Sequence, residues 1–394
     1  MSFHVSFPEP FRLLSFSGGG RGLLWSAFFC YDQAVSKLVF PVLILFFPIF
    51  YLAAQETTLP DAAGSFGIPA QEWPFKPGSR EITVHVRYPG TGAKIKGVRA
   101  STGLMLSLHN WGGTAFAGTA DPGVLADQYN VVVIGVDYLQ SGKQASIDDP
   151  EPYDFGYLQA LDALRALYVV FNDLKQRGIP FDSNRIFATG GSGGGNVSLM
   201  ANKLAPRTFT AVVDLCGMKR LTDDIAYNLP GGSPLNARYS QDPKHPYFLP
   251  VDRQELHFLG NPAHLTMMKQ LGCTAKIISV HGVTDTTCPF ADAEEFASNM
   301  KAAGLDFTFV PVTKEILDGK VFASSDHSLG DRTLIVDQVA GKFLNSRSPG
   351  ALRRRGMTDF ERKEDIRYST SNGSWVISYG KGYPEGRFEP GLSR

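Results

Sequence analysis

What this chain lacks narrows its chemistry before any motif is read. It has no charge excess: Lys plus Arg and Asp plus Glu stand at 38 each, so the formal net charge is zero. Nucleic-acid binding draws on a basic surplus to neutralise phosphates, so that class of partner is not expected. Cysteine is scarce, with four residues in 394, no C-x-x-C pair and no Cys/His cluster at zinc spacing, which leaves a metal site without support. Internal repeats are absent, and so are long apolar runs except one. What is present is an ordinary apolar fraction of 43%, enough for a sizeable core.

The single apolar run, Leu38 to Ala54, follows Lys37 and ends in small residues. Pro41 and Pro48 disfavour a spanning helix, and the pattern of charge, apolar stretch and small residues reads as a secretory signal peptide over about 37–54. The expectation is a secreted or periplasmic protein. The rival is a leader retained as a membrane anchor, the only case in which a membrane would be a partner. Removal of the leader takes Cys30 with it and leaves Cys216, Cys273 and Cys288, of which at most two pair with each other. Phe16-Ser-Gly-Gly-Gly-Arg-Gly22 resembles a glycine-rich anion loop, but it precedes the leader and no G-x-S-x-G follows it within the next hundred residues.

Beyond the leader, residues 55–79 are rich in Pro, Gly and Ala and read as an extended lead-in. Glu81–Tyr88 alternates apolar and polar residues, the period of a half-buried strand. Gly103–Leu108, Val131–Val136, Arg185–Thr189, Phe209–Leu215, Lys276–Val280 and Asp306–Val310 are short apolar runs, as expected of strands covered on both faces. Helical spacing falls between them, over Tyr157–Arg177, Gly193–Leu204, about Phe290–Ala303 and about Leu329–Leu344. Strand and helix in alternation predict a mostly parallel central sheet with helices on both faces. The domain of this α/β class is expected over 55–346, with a cap inserted at about 219–270, where periodicity is weak. The segment 347–394 turns basic and then polar, and is expected as a loosely attached tail carrying a hairpin around Ser371-Asn-Gly-Ser.

Gly190-Gly-Ser192-Gly-Gly194 satisfies G-x-S-x-G directly between a predicted strand and a predicted helix, the setting of a nucleophile elbow. Glycines flank the serine because a sharp strand-to-helix turn has no space for Cβ atoms. The helix N-terminus offers the Gly193 N–H to an oxyanion. No P-loop lysine follows, which disfavours a phosphate-binding turn. A serine nucleophile needs a base and an orienting carboxylate, and on this framework they follow it in the order acid, then histidine. Asp285 follows the strand Lys276–Val280, and His327 precedes the last helix. The other histidines of the domain are worse placed: His85 lies in an early strand, His245, His257 and His264 in the cap, and His281 ahead of the acid in its own loop. Asp214, at the end of the strand after the elbow helix, is the alternative acid, and Asp326, beside His327, is a third.

The order His109-Asn-Trp-Gly-Gly, Gly-Gly-Ser192-Gly-Gly, His-Gly-Val-Thr-Asp285-x-x-x-Pro289 and Asp-His327 resembles the α/β-hydrolases. Its nearest flavour is the branch of prolyl-oligopeptidase-type peptidases, dienelactone hydrolases and secreted carboxylesterases, over about Glu81 to Leu344. The resemblance implies the α/β-hydrolase fold, a Ser192–His327–Asp285 triad and a second oxyanion donor just after the early His motif, here the Trp111 N–H. Asn110 stands where the family has glycine. No cofactor or metal is implied. The expected substrate is a small-molecule or polymeric carboxylic ester cleaved through an acyl-enzyme. A peptide bond is the runner-up, and a non-catalytic binding homologue is a third reading.

Overall fold

The computed structural model describes residues 58–380 and 382–391. The leader at 37–54 and the glycine-rich stretch at 16–22 lie outside the described residues. The described residues form one compact unit. Among the described residues no helix is long and apolar enough to cross a membrane.

In chain order the first half runs β1 (Gly64–Pro69), β2 (Glu81–Arg87), β3 (Gly103–Leu108), α1 (Pro122–Tyr129), β4 (Val131–Asp137), α2 (Tyr157–Gln176), β5 (Ile186–Gly191), α3 (Gly193–Leu204) and β6 (Ala211–Leu215). There follow α4 (Asp223–Tyr227), α5 (Val251–His257), α6 (Pro262–Leu271), β7 (Lys276–Gly282), α7 (Phe290–Ala302), β8 (Phe307–Val312), α8 (Arg332–Leu344), α9 (Asp359–Arg362), β9 (Ile366–Thr370), β10 (Gly373–Ser378) and β11 (Glu385–Pro390). Eight strands make one sheet in the order β1-β2-β4-β3-β5-β6-β7-β8. β1 and β2 run antiparallel, as do β2 and β4, and every later pair is parallel.

The apolar runs explain the layering. In β3, Leu104 and Leu106 face one core and Met105 the other; in β4 the same split sets Val132 and Ile134 against Val131 and Val133. The first core is filled by Leu161, Leu164 and Leu167 of α2, by Val197 and Met200 of α3 and by Phe296 of α7. The second is closed by Leu125 of α1 and by Ile335, Val336 and Ala340 of α8. A strand period of two with apolar residues at both phases therefore gives a sheet covered on both sides.

Three departures from the sequence reading have physical causes. The lead-in contains β1, which pairs with β2 although its exposed, glycine-containing sequence carries no alternation. The last helix begins at Arg332 rather than near Leu329, because Leu329 and Gly330 adopt positive φ (55° and 150°) and Asp331 caps the helix by accepting from the Leu334 N–H. The tail is not loosely attached. β9, β10 and β11 form an antiparallel sheet that buries Ile366, Tyr368, Val376, Ile377 and Tyr379. Its Tyr379 hydroxyl donates to Leu204 O at 2.8 Å and its Trp375 Nε1 to Asp252 O at 2.9 Å. Ahead of it, the fully buried Asp359 holds the Arg207 guanidinium at 2.6 Å and the Thr208 hydroxyl at 2.9 Å. Tail aromatics that looked merely polar-flanked in sequence thus complete the core on the α2–α3 side.

Between β6 and β7 the chain makes the detour of 219–270. It carries α4, α5 and α6 and buries its own cluster, with Leu221, Ile225, Leu235 and Tyr239 packed against Tyr153 and Phe155.

Candidate active site

The elbow sits at the carboxyl end of β5. Ser192 has φ 55° and ψ −121°, a strained conformation for a residue with a side chain. Its N–H donates to Leu215 O at 2.8 Å and its carbonyl accepts from Asn196 N at 3.1 Å, so the strain is held from both directions. The glycines are required by close approach: a Cβ on Gly194 would lie 2.0 Å from Leu108 O.

Around this serine the structure brings together three of the residues singled out by sequence. His327 Nε2 lies 2.8 Å from Ser192 Oγ, and His327 Nδ1 lies 2.8 Å from Asp285 Oδ2. With Nδ1–H donated to the carboxylate, Nε2 is left to accept the serine proton. Asp285 is buried, and its other oxygen accepts from the Thr287 and Cys288 N–H groups at 2.8 and 2.9 Å. Burial alone would raise its carboxyl, but hydrogen bonds from His281 and then His327 outweigh burial and hold it well below the usual carboxylate range.

His281 is the residue that sequence reasoning passed over. Fully buried, it places Nε2 3.2 Å from Asp285 Oδ2 and 2.8 Å from Cys288 O. The acid is therefore shared by two imidazoles. The signal was the i, i+4 spacing of His281 and Asp285, hidden because it joins the end of β7 to the loop that follows, where no single period holds. Cys216 Sγ, His281 and Asp285 also form a group with one possible ligand atom each within 4.8 Å. Their atoms are engaged with one another's loops: Gly282 N donates to Cys216 Sγ, and both Asp285 oxygens accept hydrogen bonds. All three described cysteines are free.

The other two acids stand elsewhere. Asp214 is fully buried, ion-paired to Lys219 Nζ at 2.6 Å and bonded to Ser279 Oγ at 2.6 Å and Gly217 N at 2.8 Å. Asp326 is turned to its own loop and accepts from Ser328 N at 2.8 Å.

Two backbone N–H groups flank the serine. A Cβ on Gly193 would lie 2.9 Å from Trp111 N, so the Gly193 and Trp111 amides are neighbours, and neither meets a backbone acceptor among the described residues. Trp111 is held by its ring, which packs against Tyr153 and Phe155 (centroids 5.6 and 5.7 Å) and donates Nε1–H to Ser146 O. His109, stacked 4.0 Å from Tyr138, pins the start of the same loop. Burial pushes its pKa down to about 4, which keeps the ring neutral.

Residues 166–341 match the prolyl oligopeptidase family, a stretch that contains Ser192, Asp285 and His327. That stretch is less than half of the chain, and the strand order with a serine elbow after β5 is that of the α/β-hydrolase fold. Among solved structures, this chain is similar to an acylaminoacyl peptidase of Pyrococcus horikoshii (TM-score 0.49, 12% identity, covering 72% of this chain and 41% of that one). It is also similar to a puromycin-hydrolysing peptidase of Mycobacterium tuberculosis (0.46, 16%, 72% and 41%). A third is dipeptidyl peptidase 4 of Porphyromonas gingivalis (0.47, 14%, 72% and 35%). The chain spans between about a third and two fifths of the length of these solved chains. No curated protein matches it by sequence.

Proposed function

We propose that this hydrolase is a serine peptidase of the prolyl-oligopeptidase type, with Ser192 as nucleophile, His327 as general base and acid, and Asp285 orienting the imidazole. The observation that carries the reading is the hydrogen-bonded chain Asp285–His327–Ser192 inside the segment that matches that family. Sequence features alone favoured an ester. The family match favours the amide, and the same groups serve both bonds. In the first step His327 Nε2 takes the Ser192 proton as Oγ attacks the carbonyl carbon, and the Gly193 and Trp111 N–H groups receive the developing oxyanion. His327 then returns the proton to the leaving nitrogen, and water, deprotonated in its turn by His327, releases the acid from the acyl-enzyme. The Asp285 negative charge stabilises the imidazolium formed in each half-reaction.

The test is active-site labelling followed by a substrate panel. A fluorophosphonate should modify Ser192, and Ser192→Ala should lose both the label and at least about 10³ of turnover while keeping its melting temperature. Label on another serine sinks the assignment. Turnover of aryl esters with none of N-blocked peptides would return the reading to an esterase.

A further inference from the structure

Strand β7 sends one side chain to each of the two buried acids. Ser279 and His281 stand two residues apart and so share a face of the strand. Ser279 Oγ donates to Asp214, and His281 approaches Asp285. The His281 ring is fully buried, with the Phe290 ring beside it (centroids 6.2 Å). Its Nδ1 meets no partner, and both of its polar contacts are made by Nε2, 2.8 Å from Cys288 O and 3.2 Å from Asp285 Oδ2. Both neighbours are acceptors, so Nε2 carries the hydrogen and shares it between them. A histidine that only held the loop together would need no more than the Cys288 carbonyl.

These contacts close a ring around the acid. The Cys288 peptide donates its N–H to Asp285 Oδ1 at 2.9 Å and accepts at its carbonyl from His281, which itself reaches Oδ2. The carboxylate is thus gripped at both oxygens. A carboxylate turns readily about its last bond, and the His327 Nδ1–H finds Oδ2 at 2.8 Å only while that rotation is held. Without His281, Oδ2 would keep no side-chain donor except the imidazole it has to orient. The titratable groups that face Asp285 are the two imidazoles, the Cys216 and Cys288 thiols and Asp326. Among them only the imidazoles favour the ionised carboxylate against its burial.

We infer that His281 is a positioning residue of the active site: its Nε2–H, shared between Cys288 O and Asp285 Oδ2, holds the acid at the angle from which it orients His327. It touches neither substrate nor nucleophile and acts through Asp285 alone. The inference rests on the triad reading above and adds to it a residue behind the acid. In this arrangement the ring has two tasks, to fix the rotation of the carboxylate and to keep it ionised as the pH falls.

The rate of fluorophosphonate labelling at Ser192, measured on the full chain, reads the triad without a known substrate. Per folded molecule, His281→Leu should slow labelling roughly 10-fold or more, the scale of one hydrogen bond to a charged group. His281→Gln, whose amide nitrogen reaches about as far as Nε2, should recover most of the loss. The pH profile supplies a readout that lost packing would not move. In the wild type a single proton, on His327, should switch labelling off towards acid, a logarithmic slope of about one. In His281→Leu the burial of Asp285 is opposed by one hydrogen bond fewer, so its carboxyl rises, a second proton binds and the slope steepens towards two. In His281→Gln the slope should return to about one. In an Asp285→Asn background, His281→Leu should cost less than about twofold, because its route to His327 is already cut. Melting temperatures check folding, and if His281→Leu does not fold, His281→Asn, with its shorter amide, takes its place in each comparison. An unchanged rate and slope, a glutamine no better than leucine or asparagine, or a full loss that persists beside Asp285→Asn overturns the role. A wild type labelled elsewhere than Ser192 overturns the triad reading itself, whereas a wild type labelled there with indifferent His281 variants overturns this inference alone.

Discussion

Asp214 and Asp285 stand at the carboxyl ends of neighbouring strands, β6 and β7, and by sequence they compete for one role. Both side chains are buried and both accept a full set of hydrogen bonds. The difference is what each is bonded to. Asp214 meets a lysine and a serine, groups that fix its charge in place. Asp285 meets two imidazoles, one of which continues to the nucleophile. Burial and saturation are thus shared by the two carboxylates; the identity of the partner separates them, and only Asp285 has the partners its proposed role needs.

The largest effect should come from breaking the imidazole side. Asp285→Asn keeps the shape but leaves an amide facing His327 Nδ1, so kcat should fall by about 10³–10⁴ with KM little changed. An equal loss from Asp214→Asn in a folded protein would erase the distinction drawn above. The lysine side should fail differently. Asp214→Asn strands the Lys219 ammonium in the core, and the expected cost is about 3–5 kcal/mol of stability. Chemical denaturation measures this, and kcat per folded molecule should change far less than for Asp285→Asn.

The smallest effect sharpens the comparison from the cation's end. Lys219 has a carboxylate, whereas Lys203 donates only to Leu256 O at 2.7 Å and Phe258 O at 3.1 Å. Burial pushes the Lys203 pKa from 10.5 down to about 7 in the folded protein. Between those values the unfolded chain holds a proton that the folded chain has released. The unfolded state then binds more protons, so stability rises with pH there. Relative to Lys203→Met, the wild type should gain stability between pH 7 and 10 by at most about 1.4 kcal/mol per pH unit. A pH-independent difference between the two melting curves would show that Lys203 stays charged.

The elbow and the order of its partners were legible because chemistry restricts them. Glycines must flank Ser192 where Leu108 O comes within contact, and the strand runs that carry Asp285 and precede His327 are apolar on both faces. Legibility failed where structure depends on partners distant in sequence. The Asp214–Lys219 pair lies in a stretch without period, and only Ser279 from the next strand completes it. Helix α1 escaped notice although Asp121-Pro122 is a good helix start, with the Asp121 side chain accepting from Val124 N. The tail read as an appendix because Tyr368 and Trp375 alternate with polar residues. Their burial depends on α3 and α5, more than a hundred positions from them in no readable pattern.

The tail sheet also reaches the cap. At the β9–β10 turn the Asn372 N–H donates to Asp252 Oδ1 at 2.7 Å and the Ser371 N–H to Glu255 Oε2 at 2.7 Å, while Trp375 holds Asp252 O. Helix α5 is therefore moored to the far end of the polypeptide, more than a hundred residues downstream, and has little freedom to swing. Away from this mooring the detour is exposed at 229–232 and 241–246, with α5 as its fixed post. A chain trimmed after α8 would cast off that mooring, so a shortened version made for convenience would leave the Asp252 and Glu255 carboxylates of α5 without the amides that hold them.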